Sequence, residues 1–146
     1  MDPKDEKILA LLKQDSKMAV WQVAKKACVP VTTAHNRIKK MEKDGIIKGY
    51  TLSLDYDKLG KPITAFLLVN IAYMLPSGKK IRQEDVAREI RKQPGAEEVY
   101  IMTGTADILA KLRVKDVNEL NDFVVNRIRC IDGISNTQTM IVLSSY

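Results

Sequence analysis

At Gly45 the spacing of apolar residues changes, and that change limits what the chain can fold into. Before it, Ala34, Ile38 and Met41 follow i, i+4, i+7, the stripe of an amphipathic helix. After it, Tyr50, Leu52, Leu54 and Tyr56 alternate with Thr51, Ser53 and Asp55, the period of a strand. A helical segment therefore precedes one built around strands.

The first part reads as three short helices. In "MDPKDEKILALLKQ", Ile8, Leu9, Leu11 and Leu12 recur at helical spacing. Asp2 can cap the start, Pro3 suits the first helical position, and Asp5 and Glu6 favour the positive end of the helix dipole. A second helix is expected over about Val20 to Ala27, with Val20, Val23, Ala24 and Ala27 inward, broken by "CVP". The third runs from about Val31 to Asp44, with Gly45 as its stop. A strand over Tyr50 to Tyr56 and a joint at "DKLGKP", Asp57 to Pro62, follow.

The remainder holds a quasi-repeat. A strand (Thr64 to Met74), a helix (Glu84 to Gln93), a Pro94–Gly95 stop and a strand (Glu97 to Thr103) are expected first. A strand (Ile108 to Val114), a helix (Val117 to Ile131), an Asp132–Gly133 stop and a strand (Asn136 to Leu143) follow. In the second helix Val117, Leu120, Val124, Ile128 and Ile131 form one stripe. The order βαββαβ is that of the ferredoxin-like split fold, with both helices on one face of the sheet. The expected class is α+β. Residues 1–49 are expected to form a helix-turn-helix domain, 50–62 a strand and linker, and 63–146 a ferredoxin-like domain. Because "AFLLVNIAYM" is apolar on both sides of its strand, the uncovered sheet face calls for a second subunit. A homodimer or an assembly of dimers is expected.

Charge separates the parts further. Residues 1–50 carry eleven Lys/Arg and six Asp/Glu, against thirteen and twelve in the rest, so the formal +6 is concentrated early. No acidic residue occurs between Ser16 and Met41. Such asymmetry points to an anionic partner, nucleic acid before membrane surface. In a helix-turn-helix the third helix enters the major groove of double-stranded DNA. Thr32, Thr33, His35, Asn36 and Arg37 are candidates for base edges or nearby phosphates, and Lys39, Lys40 and Lys43 for the phosphate backbone.

Other classes find little support. No apolar run approaches the roughly 18 residues of a membrane span, and the opening is not a signal peptide, so a cytoplasmic protein is expected. Cys28 and Cys130 are isolated and read as small core residues; nothing has metal-ligand spacing, and no cofactor is expected. Trp21 reads as core packing or an interdomain contact, and His35, the sole histidine, has no nucleophile beside it. With no paired carboxylates either, an enzyme is not expected. Two further alternatives remain: an architectural protein that wraps DNA without an effector, and a ligand sensor whose helices bind only protein.

The whole chain resembles the Lrp/AsnC family of leucine-responsive and asparagine regulators. "MDPKDEKILALLKQD" is similar to its opening helix and "TTAHNRIKKMEKDGIIKGY" to its recognition helix and following strand. "GTADILAKLRVKDVNELNDFV" is similar to the glycine-x-x-aspartate turn and second helix of its effector domain, and "IDGISNTQTMIVL" to its last strand. The resemblance implies a dimeric DNA-binding transcription regulator, often octameric, that binds amino acids or similar small molecules near dimer–dimer contacts. Gly104, Thr105, Ala106 and Asp107 would line or shape that site. The same turn has a structural explanation, since Gly relieves φ and Asp bonds the turn backbone. Two departures stand out: Cys28 where a Gly is common, and Pro30 where a Ser or Thr usually caps the recognition helix.

Overall fold

Residues 1–145 are described by a computed structural model, in which one compact unit spans Met1–Ser53 and a second begins at Leu54. In the first unit, α1 covers Pro3–Gln14, α2 Val20–Ala27 and α3 Val31–Lys43. The start of α1 is a reciprocal cap. The Asp2 carboxylate accepts the backbone N–H of Lys4 and Asp5, and the Asp5 carboxylate accepts that of Asp2. Ile8, Val23, Ala24, Ala27, Ala34, Ile38 and Met41 form the buried core. Cys28, Val29 and Pro30 alone separate α2 from α3, the tight turn of a helix-turn-helix.

In the second unit, β1 covers Ile63–Ile71, α4 Gln83–Lys92, β2 Ala96–Ile101, β3 Ile108–Val114, α5 Val117–Asp122 and β4 Ile134–Ile141. The strands form one antiparallel sheet in the order β2-β3-β1-β4, the ferredoxin-like arrangement. Alternation sends Ala65, Leu67, Val69 and Ile71 of β1, with Ile108, Ala110, Leu112 and Val114 of β3, into the core. Val86 and Ile90 of α4 join them, as do Leu120, Phe123, Val124 and Ile128. The opposite face carries Phe66, Leu68, Leu109, Tyr100 and Met140, half-buried or exposed.

Several expectations are corrected. No strand forms over 50–56, although that stretch alternates; a strand needs a hydrogen-bonded neighbour, none is present among the described residues, and Leu52 is 71% exposed. The linker is therefore an irregular segment. The long helix expected over Val117 to Ile131 is α-helical only to Asp122 and continues as π-helix over Phe123–Ile128. The wider turn lets Phe123, Val124 and Ile128 all reach the core, while Val117, expected inward, is exposed. Cys28 and Cys130 are both exposed rather than buried. Cys28 is the C-cap residue of α2, at the turn with φ +56°, past the inward stripe Val23, Ala24 and Ala27. Trp21, 58% exposed in the first turn of α2, is not a core residue.

Candidate nucleic-acid interface and effector turn

With Ala34, Ile38 and Met41 committed to the core, the 3.6-residue repeat of α3 leaves a polar face outside. Thr32, Asn36, Lys39 and Lys43 recur along it at spacings of three and four, and all are exposed. His35 and Lys40 flank this column and are also exposed; Thr33 is half-buried. Lys39 lies 3.4 Å from Glu42, whose other oxygen accepts the Tyr50 hydroxyl at 2.9 Å. That hydroxyl, then Lys39, holds the Glu42 carboxyl below its ordinary range. Lys40 and Lys43 have no carboxylate within salt-bridge distance among the described residues, nor do Lys25 and Lys26 in the last turn of α2. The α2 lysines lie inside the acid-free run, the sequence signal by which they could have been named. At the head of α3, Pro30 is the N-cap residue and supplies no side-chain acceptor.

Arg37 differs from the other candidates. Its Nη1 donates to Asp2 Oδ2 at 2.6 Å and to Asp5 Oδ1 at 2.7 Å, and its side chain is only 28% exposed. Backbone N–H groups of the cap, then the guanidinium, hold both aspartates below their ordinary values. The two carboxylates in turn raise the arginine. Asp2 and Asp5 are visible in the sequence as helix-capping residues, but their partner lies 35 and 32 positions away.

The second candidate site is the 102–107 turn between β2 and β3. Gly104 adopts φ +124°, a conformation that residues with a side chain rarely take. Asp107 is fully engaged within the fold. Its Oδ2 accepts the Ile71 N–H at 2.8 Å, and its Oδ1 accepts the Tyr73 hydroxyl at 2.6 Å and Gln83 Nε2 at 3.4 Å. Gln83 also donates to the Tyr73 hydroxyl. The Asp107 carboxylate raises the pKa of Tyr73 by accepting its proton in a hydrogen bond. Asn70 Nδ2 donates to the Thr105 carbonyl at 2.8 Å. Ala106 is buried, whereas Gly104 and Thr105 are exposed. Asn70, Tyr73 and Gln83 thus frame the turn, and no local spacing relates them to it. Among the described residues no cluster of three His, Cys, Asp or Glu could hold a metal ion, and no helix is long and apolar enough to cross a membrane.

Two family models match along the chain. A winged helix-turn-helix DNA-binding family matches residues 1–48, and the Lrp/AsnC ligand binding domain matches residues 64–146. The chain is 37% identical over 141 residues to an uncharacterized HTH-type transcriptional regulator of Pyrococcus furiosus, covering 97% of this chain and 91% of that protein. It is 35% identical over 146 residues to the HTH-type transcriptional regulator FL11 of Pyrococcus horikoshii, covering 100% and 91%. A transcriptional regulator of Neisseria meningitidis, solved as its L-Met complex, shares the fold with a TM-score of 0.89 at 24% identity, over 99% of this chain and 90% of that one. The protein is therefore not an enzyme but a DNA-binding transcription regulator, and it belongs to the Lrp/AsnC family.

Proposed function

We propose that this regulator grips DNA as a homodimer, through the outer faces of two α3 helices, and that an amino acid or similar small effector alters its assembly and so its affinity. The observation that carries the reading is the exposed column Thr32, Asn36, Lys39 and Lys43, flanked by Thr33, His35 and Lys40. Asn36 suits adenine, the threonine methyls suit thymine, and the lysines suit phosphates. The Val31, Thr32 and Thr33 amides, with no capping side chain, leave the positive end of the helix open to an anion.

A dimer is supported by the open sheet face, where Phe66, Leu68, Leu109 and Met140 lie together uncovered. It is supported also by the unpaired alternating segment 50–56, whose backbone a second copy could complete. For the effector, the support is the match to a ligand-binding domain and the fold shared with a protein solved with L-Met. Gly104 and Thr105 are the accessible part of the proposed effector site, while Ala106 and Asp107 shape it from within. Further assembly to an octamer would place such turns near dimer–dimer contacts. The mechanism is linkage: an effector that prefers one assembly shifts the population toward it.

Light scattering with and without each of the amino acids, paired with thermal melts, tests this reading. A native-state ligand raises the melting point and changes the mass distribution. A monomer at all concentrations, or a panel without any response, would contradict the dimer or the effector respectively.

A further inference from the structure

We propose that Arg37 is a positioning residue for the DNA-reading face, anchored by the two capping carboxylates of α1, and is not itself a reader of DNA. This rests on the reading of α3 given above. Among the eleven basic residues of the first fifty, Arg37 is the one arginine. Its Nη1 carries two N–H groups, and it donates to both carboxylates.

The division of labour among the four carboxylate oxygens is the key observation. Asp2 Oδ1 accepts the N–H of Lys4 at 2.8 Å and of Asp5 at 3.0 Å, leaving Oδ2 for Arg37. Asp5 Oδ2 accepts the Asp2 N–H at 3.0 Å, leaving Oδ1 for Arg37. The cap fixes both acids to the backbone of α1, and both present their remaining oxygen to one nitrogen on α3. Among the described residues, no other side chain–side chain hydrogen bond joins two helices of this unit.

Three consequences follow for DNA. First, two carboxylates already engage the guanidinium, so a phosphate approaching Arg37 would have to compete with them rather than meet an open cation. Second, Arg37 lines a shallow concavity of about 560 Å³ with Thr33, Asn36 and Lys40. The anchor therefore sits beside the side chains proposed to meet the duplex. Third, apolar packing of α3 on its neighbours is non-directional, whereas two hydrogen bonds from Nη1 to carboxylates fixed on α1 constrain the roll of the helix about its own axis. Base readout needs its side chains placed to within about 0.5 Å. Roll is the coordinate on which Thr32 and Asn36 depend.

The test uses the full chain and a duplex that the wild-type protein selects from a random pool. Dissociation constants for that duplex and for random duplex are measured at several salt concentrations, at a temperature where circular dichroism shows every variant fully folded. The variants are Arg37→Gln and the double change Asp2→Asn/Asp5→Asn, which keeps an equally good N-cap. Both are expected to lower the selected-to-random ratio about tenfold or more, with the salt slope unchanged. A slope lower by about 0.9 for each lost phosphate contact in Arg37→Gln, about 1.8 for the two copies in a dimer, would overturn the proposal. So would tighter binding of the selected duplex by Asp2→Asn/Asp5→Asn at an unaltered ratio, since a freed arginine would then be reading DNA. An unaltered ratio with only a lower melting point would reduce the anchor to a stabilising contact and also overturn it. A wild-type chain that selects no sequence would instead end the α3 reading on which the proposal stands.

Discussion

Cys28 holds the left-handed conformation, φ +56°, that closes α2 and starts the turn into α3. For a residue with a Cβ this costs about 1 kcal/mol, a cost that glycine avoids. Cys28→Gly is therefore expected to raise the stability of the N-terminal unit by about 0.5 kcal/mol after the extra freedom of the unfolded glycine is counted. A thermal melt checks this, and a lower melting point would speak against strain at the turn. Gly133 presents the opposite case. At φ +92° it is buried, and a Cβ there would lie 2.5 Å from Ile81 Cγ2. Gly133→Ala should cost about 2–3 kcal/mol by denaturant titration, and adding Ile81→Ala should return part of the loss. An additive double variant would show that the clash is absent. Both glycine-type positions are legible in the sequence as stops after a helix. What is not legible is that Ile81, 52 positions earlier, closes over one of them, because a contact between distant segments leaves no local period.

At the scale of elements, α1 and α3 show the same contrast. Each helix is readable from its own stripe, Ile8 with its neighbours and Ala34, Ile38, Met41. The Arg37 anchor between them is not, since it depends on how the helices cross. It has an acid signature. Asp2 and Asp5 titrate below the ordinary aspartate value in the folded state, through the capping N–H groups and then Arg37. Carboxylates depressed on folding contribute stability above their unfolded pKa, and that contribution is lost as pH falls through the folded values. Melting of the N-terminal unit should therefore weaken below about pH 4. Asp2→Asn/Asp5→Asn should flatten that acid limb, and a limb of unchanged steepness would mean other carboxylates cause it. The segment 50–56 fails as a strand for a related reason: alternation is written into Tyr50, Leu52, Leu54 and Tyr56, but a hydrogen-bonding partner is not. The π-helical turn over Phe123–Ile128 likewise answers the shape of the core around Phe123, which the stripe of apolar residues does not encode.

At the scale of the whole molecule, the order βαββαβ and the uncovered sheet face are legible because alternation names both sides of every strand. Leu68 points to the open face, opposite Leu109 and Gln138. If the proposed dimer forms on this face, Leu68→Asp should leave the core intact and give monomers by light scattering, with weaker DNA binding as the two α3 helices lose their coupling. A persistent dimer would move the interface elsewhere. The candidate effector turn was legible as a motif, but Tyr73 and Gln83, which hold Asp107, were not. The claim on which the functional reading depends is that the outer face of α3 meets DNA phosphates. Its most direct measurement is the salt dependence of DNA binding for the wild-type chain and for Lys40→Gln and Lys43→Gln. Each substitution is expected to lower the slope of log K against log salt by about 0.9 per lost contact, without loss of folding. Slopes identical to that of the wild type in both variants would place the DNA on some other surface.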